Sequence, residues 1–209
     1  MAAHARGDVT PWDEVLASLQ ALCAMLLLGV SLLALPRAYA RAYRVLSESG
    51  SVGWVVVAGM VTAACLRWVL APKTLATLFI GYRWTEQCID LYPIPHYGAG
   101  AAGAYHALLS VLPHDHLSLM WVNAVIGVLA IPLVAALATR LFEDRTTGAV
   151  AAVLLALVPL FVRNDTSDAN NVPALLWLMG GLLLLDERTD GGRLEVLLGS
   201  VGLLALAWI

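Results

Sequence analysis

The stretch WVNAVIGVLAIPLVAALATRLFEDRTTGAVAAVLLALVPLFVRNDTSD, residues 121–168, decides how this chain folds. Two long apolar runs flank a short charged turn, Arg140 to Arg145, and the second run ends in the polar cluster RNDTSD. A backbone amide finds no partner in lipid, so a membrane span needs roughly 20 apolar residues wound as a helix. Extended back to Leu117, the first run reads as a span through Thr139. Gly148 to Val162 reads as another, somewhat short.

Working outward, the same pattern recurs. Leu16 to Leu35 is a span that Pro36 ends, and Val52 to Leu66 is a second, extendable to Ala71 with Arg67 snorkelling. Val172 to Leu185 is shorter and flanked by Asn170, Asn171 and Asp186. Leu194 to Ile209 starts one more, and because it is still apolar at Ile209 the chain reads as the front part of something longer. Composition agrees: 60% of the residues are hydrophobic and 13% are Asp, Glu, Lys or Arg, against about 25% charge in a soluble domain. The expected fold is all-α, a polytopic transmembrane helix bundle with interfacial helices in a long first external loop.

Arginines orient the bundle. Arg37, Arg41 and Arg44 follow the first span, Arg140 and Arg145 the third, and Arg188 and Arg193 the fifth. These are alternate loops, so the three clusters share one side, which the positive-inside rule makes cytoplasmic. The N-terminus, residues 72–116 and the turn Arg163 to Asn171 then lie outside. The long outer segment is rich in aromatics (Phe79, Tyr82, Trp84, Tyr92, Tyr97, Tyr105), and residues 74–82 and 99–112 read as short helices on the membrane surface.

Several classes are excluded. The first 14 residues carry Asp8, Asp13 and Glu14 against Arg6, unlike the basic start of a secretory signal. No basic stripe with interleaved aromatics points to nucleic acid. Cys23, Cys65 and Cys88 form neither a disulfide framework nor a zinc site.

Three polar clusters can carry chemistry. Glu86 and Asp90 sit four apart in RWTEQCIDLY, on one face of any helix there. Carboxylates near an apolar surface have raised pKa values and can act as a base or hold a cation; a solvated loop acid beside Arg83 is the plain alternative. Asp165 and Asp168 face water or a polar cavity, or belong to an ordinary turn in which Asp168 or Asn171 caps the next helix. His114, Asp115 and His116 are too close in sequence to ligate one metal without a third ligand elsewhere. His96 and His106 are further polar groups at the interface, and His106 is a candidate substrate contact. Arg67 and Arg163 read as snorkelling side chains, with anion binding as the other role, and Asn123 as a partner for a neighbouring helix.

LRWVLAP closing a span, an external TEQ with interfacial helices, and the stretch 121–168 together resemble the membrane glycosyltransferases of the GT-C superfamily. The likeness is to the dolichyl-phosphate-mannose protein mannosyltransferase type. It rests on Arg67, Glu86, Asn123 with Gly127, Arg140-Leu141-Phe142, Pro159 and Asp168, and covers roughly Val52 to Leu185. It divides the chain into an extra N-terminal transmembrane helix with its cytoplasmic loop, 1–51, and the N-terminal part of a GT-C-like transmembrane domain, 52–209.

The resemblance implies a multi-pass cell-membrane enzyme that moves a sugar outside the cytoplasm. The donor would be a polyprenyl-phosphate sugar and the acceptor a protein, lipid or glycan hydroxyl. Glu86 would be the general base. Asp168, with Asp165 less directly, would hold the acceptor or a divalent cation such as magnesium or manganese, and Arg83 and Arg163 would offset the carrier phosphate. Glu86 and Asp168 should then converge on one outward-facing cavity. Two departures stand out: Thr85-Glu86 replaces the family's usual Asp-Glu, and the span Leu16 to Leu35 precedes the usual first helix. A non-catalytic membrane protein, an assembly partner or transporter subunit, is the alternative. The near absence of charge in mid-span argues against ion-coupled transport.

Overall fold

The computed structural model describes residues 11–48, 50–70, 105–106, 108–113, 116–165, 171–189 and 194–208. No strand occurs among them. The helices are α1 (Pro11–Ser47), α2 (Ser51–Leu70), α3 (His116–Phe142), α4 (Arg145–Leu157), α5 (Pro159–Asp165), α6 (Asn171–Thr189) and α7 (Leu194–Trp208).

Two of these, α2 and the part of α3 from Leu117 to Phe142, are long and apolar enough to cross a membrane. Their surroundings name the solvent. On α2, Trp54, Val57, Val61, Trp68 and Val69 are exposed, and on α1 so are Leu32 and Leu33. A continuous apolar surface of this kind is stable only against lipid. The protein is an all-α membrane protein.

Helix α3 is the centre of the bundle and packs against α1, α2, α4 and α6. Its buried face is largely small: Ala124, Ala130, Ala135 and Ala136 are all closed off. Lipid tails are as apolar as leucine, so helices in a bilayer associate through close backbone approach at small residues. The α3–α4 hairpin takes this furthest at Gly148, where a methyl group would overlap the Thr139 hydroxyl and lie 2.8 Å from the Ala135 carbonyl. The turn joining the two helices is built for its shape. Glu143 takes a left-handed φ of 51°, and Asp144 caps α4 by accepting from the backbone N–H groups of Thr146 and Thr147 at 3.1 and 2.8 Å.

Two expected boundaries are corrected. Pro36 does not end the first helix: α1 runs through it for 37 residues, about 55 Å at the α-helical rise and so longer than the hydrocarbon core. Pro36 is exposed, so its ring projects away from the packed face. Beyond it Ala38, Ala42, Val45 and Leu46 are buried in the core, and that burial keeps the last turns helical. Arg37, Arg41 and Arg44 are therefore carried on α1 itself and not on a connector.

The run Gly148 to Val162 is likewise not one span. It breaks at Val158, which is extended (φ −61°, ψ 122°) ahead of Pro159. Proline Cδ crowds the residue before it out of the helical region, and the ring supplies no N–H.

The alternation of basic turns holds in three dimensions. Asp186, near the end of α6, accepts from Arg140 Nε of α3 at 2.9 Å and from Arg41 Nη2 of α1 at 3.5 Å. The C-terminal ends of α1, α3 and α6 thus meet at one end of the bundle. At the other end the Trp68 ring of α2 lies 5.2 Å from that of Trp121, near the start of α3.

Candidate functional site

The end away from the arginines is organised around Arg67. Along α2, Val52, Val56, Ala63 and Arg67 form one buried stripe, and on α4 Ala152, Leu155 and Ala156 are buried. Gly59 sits about 4.0 Å, measured from where its Cβ would be, from Ala152 O and Ala156 Cβ. This close crossing lets the Arg67 side chain lie between the helices without reaching the surface, and the residue is 1% exposed. The snorkelling expected of Arg67 is corrected.

Its guanidinium does the work of a helix cap. Nη1 donates to Ala63 O of its own helix at 3.3 Å and to Ala156 O at 3.4 Å, and Nη2 donates to Leu155 O at 3.4 Å. In an uninterrupted helix the Leu155 carbonyl would accept from the N–H of residue 159, which is proline. A carbonyl orphaned in lipid costs several kcal/mol. Arg67 supplies the missing donor, so the break at Pro159 and the buried arginine are one device. Its product is a fixed change of direction that launches α5, with Arg163 exposed in its last turn and Asp165 as its last residue.

A second buried polar pair lies near the same end. Asn123, fully buried in α3, accepts through Oδ1 from the Tyr105 hydroxyl. Asn123 was expected to bond to a neighbouring helix; one partner, Tyr105, has helical backbone and comes from the end of the long segment before α3. Tyr105 and Leu109 are both 1% exposed, so the described part of the expected surface helix 99–112 is docked into the bundle. Tyr105 and Leu109, four residues apart, both have helical backbone. His106 is half-buried, and its carbonyl accepts from Ser110 N at 2.9 Å.

The remaining expected site residues divide cleanly. Glu86, Asp90, Arg83 and Asp168 lie outside the described residues, as do the surface helix 74–82 and the meeting of Glu86 with Asp168. Arg163 and Asp165 lie together on α5, and His106 lies beside Tyr105. Among the described residues no group of three or more His, Cys, Asp or Glu is placed to hold a metal ion.

Sequence reasoning missed Tyr105 and Asp186. A buried asparagine oxygen needs a donor, which signals that some N–H or O–H must reach it but not which one. Asp186 was read only as the flank of a short span.

The described helices thus form a membrane bundle in which a proline break after α4 leads into α5, whose last residue is Asp165. The family model for dolichyl-phosphate-mannose-protein mannosyltransferase matches residues 103–209, just over half of the chain, and the chain belongs to that family. The match takes in Tyr105, Asn123, the Pro159 break and the acids at 165 and 168, and begins after Arg67 and Glu86. No curated protein and no solved structure matches the chain.

Proposed function

We propose that the protein transfers a sugar from a polyprenyl-phosphate carrier to a hydroxyl of a protein, lipid or glycan, at the end of the bundle opposite the arginine cluster. The family match over 103–209 carries this reading. The Arg67–Pro159 device supports it by satisfying the end of α4 where α5, whose last residue is Asp165, begins.

In the proposed step the acceptor hydroxyl oxygen attacks the anomeric carbon. The bond from that carbon to the phosphate oxygen breaks, and polyprenyl phosphate leaves with the electron pair. The hydroxyl proton passes to Glu86 as general base. Asp168, helped by Asp165 and Asp90, orients the acceptor, and His106 stands by the same end as a substrate contact. Arg163 and Arg83 stabilise the charge that builds on the departing phosphate by charge-assisted hydrogen bonds. The same acids are where a magnesium or manganese ion would be held to screen that phosphate. The acceptor end faces the outside of the cell membrane by the arginine rule. The chain would then divide into an extra N-terminal helix with its loop, 1–51, and the N-terminal part of the transferase domain, 52–209.

Transfer of labelled sugar from a polyprenyl-phosphate donor, in membranes holding the protein, tests the reading. Glu86→Gln should lower turnover at least as much as a lost general base does, about 100-fold or more. Equal transfer by both proteins would remove Glu86 from the chemistry. No transfer by the unmodified protein would leave the non-catalytic role, which Thr85 in place of the family's aspartate favours.

A further inference from the structure

We propose that the basic end of the bundle binds the phosphate headgroup of an anionic phospholipid, in a pocket between α1, α3 and α4. The pocket has a volume of about 460 Å³ and is lined by Arg41 and Arg44 of α1, Arg140 of α3 and Arg145 of α4. That volume lies within the range of sites that take small ligands. Glu48, Glu143 and Asp186 also line it, so among the described lining residues four guanidinium groups stand with three carboxylates, one positive charge in excess. One of those carboxylates is already shared: Asp186 Oδ2 accepts from both Arg41 and Arg140.

Two placements point to an anion from the bilayer. Arg145, the first residue of α4, lines the pocket, and because the Asp144 carboxylate already caps that helix end, the guanidinium and not the helix end is what an anion would meet. The second placement is apolar. Leu141 and Phe142, which follow Arg140 directly, are 66% and 68% exposed, and Tyr43 beside Arg44 is 73% exposed. An aromatic and aliphatic rim next to a cluster of planar guanidinium forks suits a phosphodiester whose chains stay in lipid. Basic pockets between membrane helices recognise lipid headgroups in this way. The site is independent of the sugar-transfer reading.

The test reconstitutes the protein in nanodiscs of equal phosphatidylglycerol and phosphatidylcholine, releases it into detergent, and counts retained lipid by native mass spectrometry. The expected result is preferential retention of phosphatidylglycerol, weakened about fivefold by each arginine lost in Arg145→Gln and in the double variant R44Q/R145Q. Both variants keep the Arg41–Asp186–Arg140 bridge, and Arg145→Gln removes a charge the helix dipole opposes, so folding is preserved. Arg37→Gln, an equal charge change on α1 outside the pocket, should leave retention unchanged. The proposal is overturned by equal retention of the two lipids or by an Arg37→Gln effect as large as that of Arg145→Gln. Displacement of the lipid by inorganic phosphate would overturn it too, making the site one for a soluble anion.

Discussion

Arg67 Nη2 donates to the carbonyl of Leu155 at 3.4 Å, and Leu155 is the residue whose helical donor Pro159 lacks. A charged side chain buried between membrane helices is costly unless its donors are used. Here three carbonyls use them, two at the end of a broken helix and one on Arg67's own helix.

This coupling is measurable. Arg67→Met should destabilise the protein by about 1–3 kcal/mol through the carbonyls it leaves bare. Pro159→Ala restores an N–H at position 159, so the cost of Arg67→Met should shrink in that background. A double-mutant cycle on unfolding in detergent reads the difference. Strict additivity would sink the account.

Gly148→Ala should cost about 1–3 kcal/mol by overpacking the α3–α4 contact. Adding Thr139→Ala removes the hydroxyl that the new methyl overlaps, but the Ala135 carbonyl at 2.8 Å remains. Rescue should therefore be partial in thermal unfolding of the double variant. Complete rescue would show that only the hydroxyl matters.

Tyr105→Phe takes from buried Asn123 its hydroxyl donor, at a cost of about 1–3 kcal/mol. Y105F/N123L replaces both polar groups with apolar ones and should be more stable than Tyr105→Phe alone. The comparison by thermal midpoint fails the idea if the double variant is the weaker protein.

Asp144 sets a pH dependence. The Thr147 hydroxyl, then the N–H groups of Thr147 and Thr146, stabilise its carboxylate and hold its pKa below the ordinary value. A depressed folded pKa means this contribution is fully present above the ordinary carboxylate range and is lost as pH falls through the folded pKa. Hydrogen exchange at Thr146 and Thr147 should accelerate, relative to its intrinsic rate, across that acidic window. In Asp144→Asn, which has no proton to gain, the acidic change at these two amides should vanish.

Much of this was legible in residues alone. The apolar lengths of α2 and α3 marked them as spans, because the cost of a bare amide in lipid is paid locally by each helix. Alternating arginine clusters put α1, α3 and α6 at one end, and Asp186 bridging Arg41 and Arg140 bears that out. The likeness to the mannosyltransferase family was also readable from the order of short motifs, and the family model agrees with it.

What the sequence by itself determined was thus the solvent, the helical class and the family, each a property of composition or of residues close in the chain. Only the tertiary structure decided that α1 runs through Pro36, that α4 stops at Val158, and that Arg67 is buried and not snorkelling. The reason lies in which surfaces meet. Pro36 is tolerated because buried Ala38 and Ala42 follow it, whereas Pro159 breaks its helix where an arginine 88 residues before Leu155 can satisfy the Leu155 carbonyl left behind. A proline's outcome depends on that distant donor, and no local pattern records it.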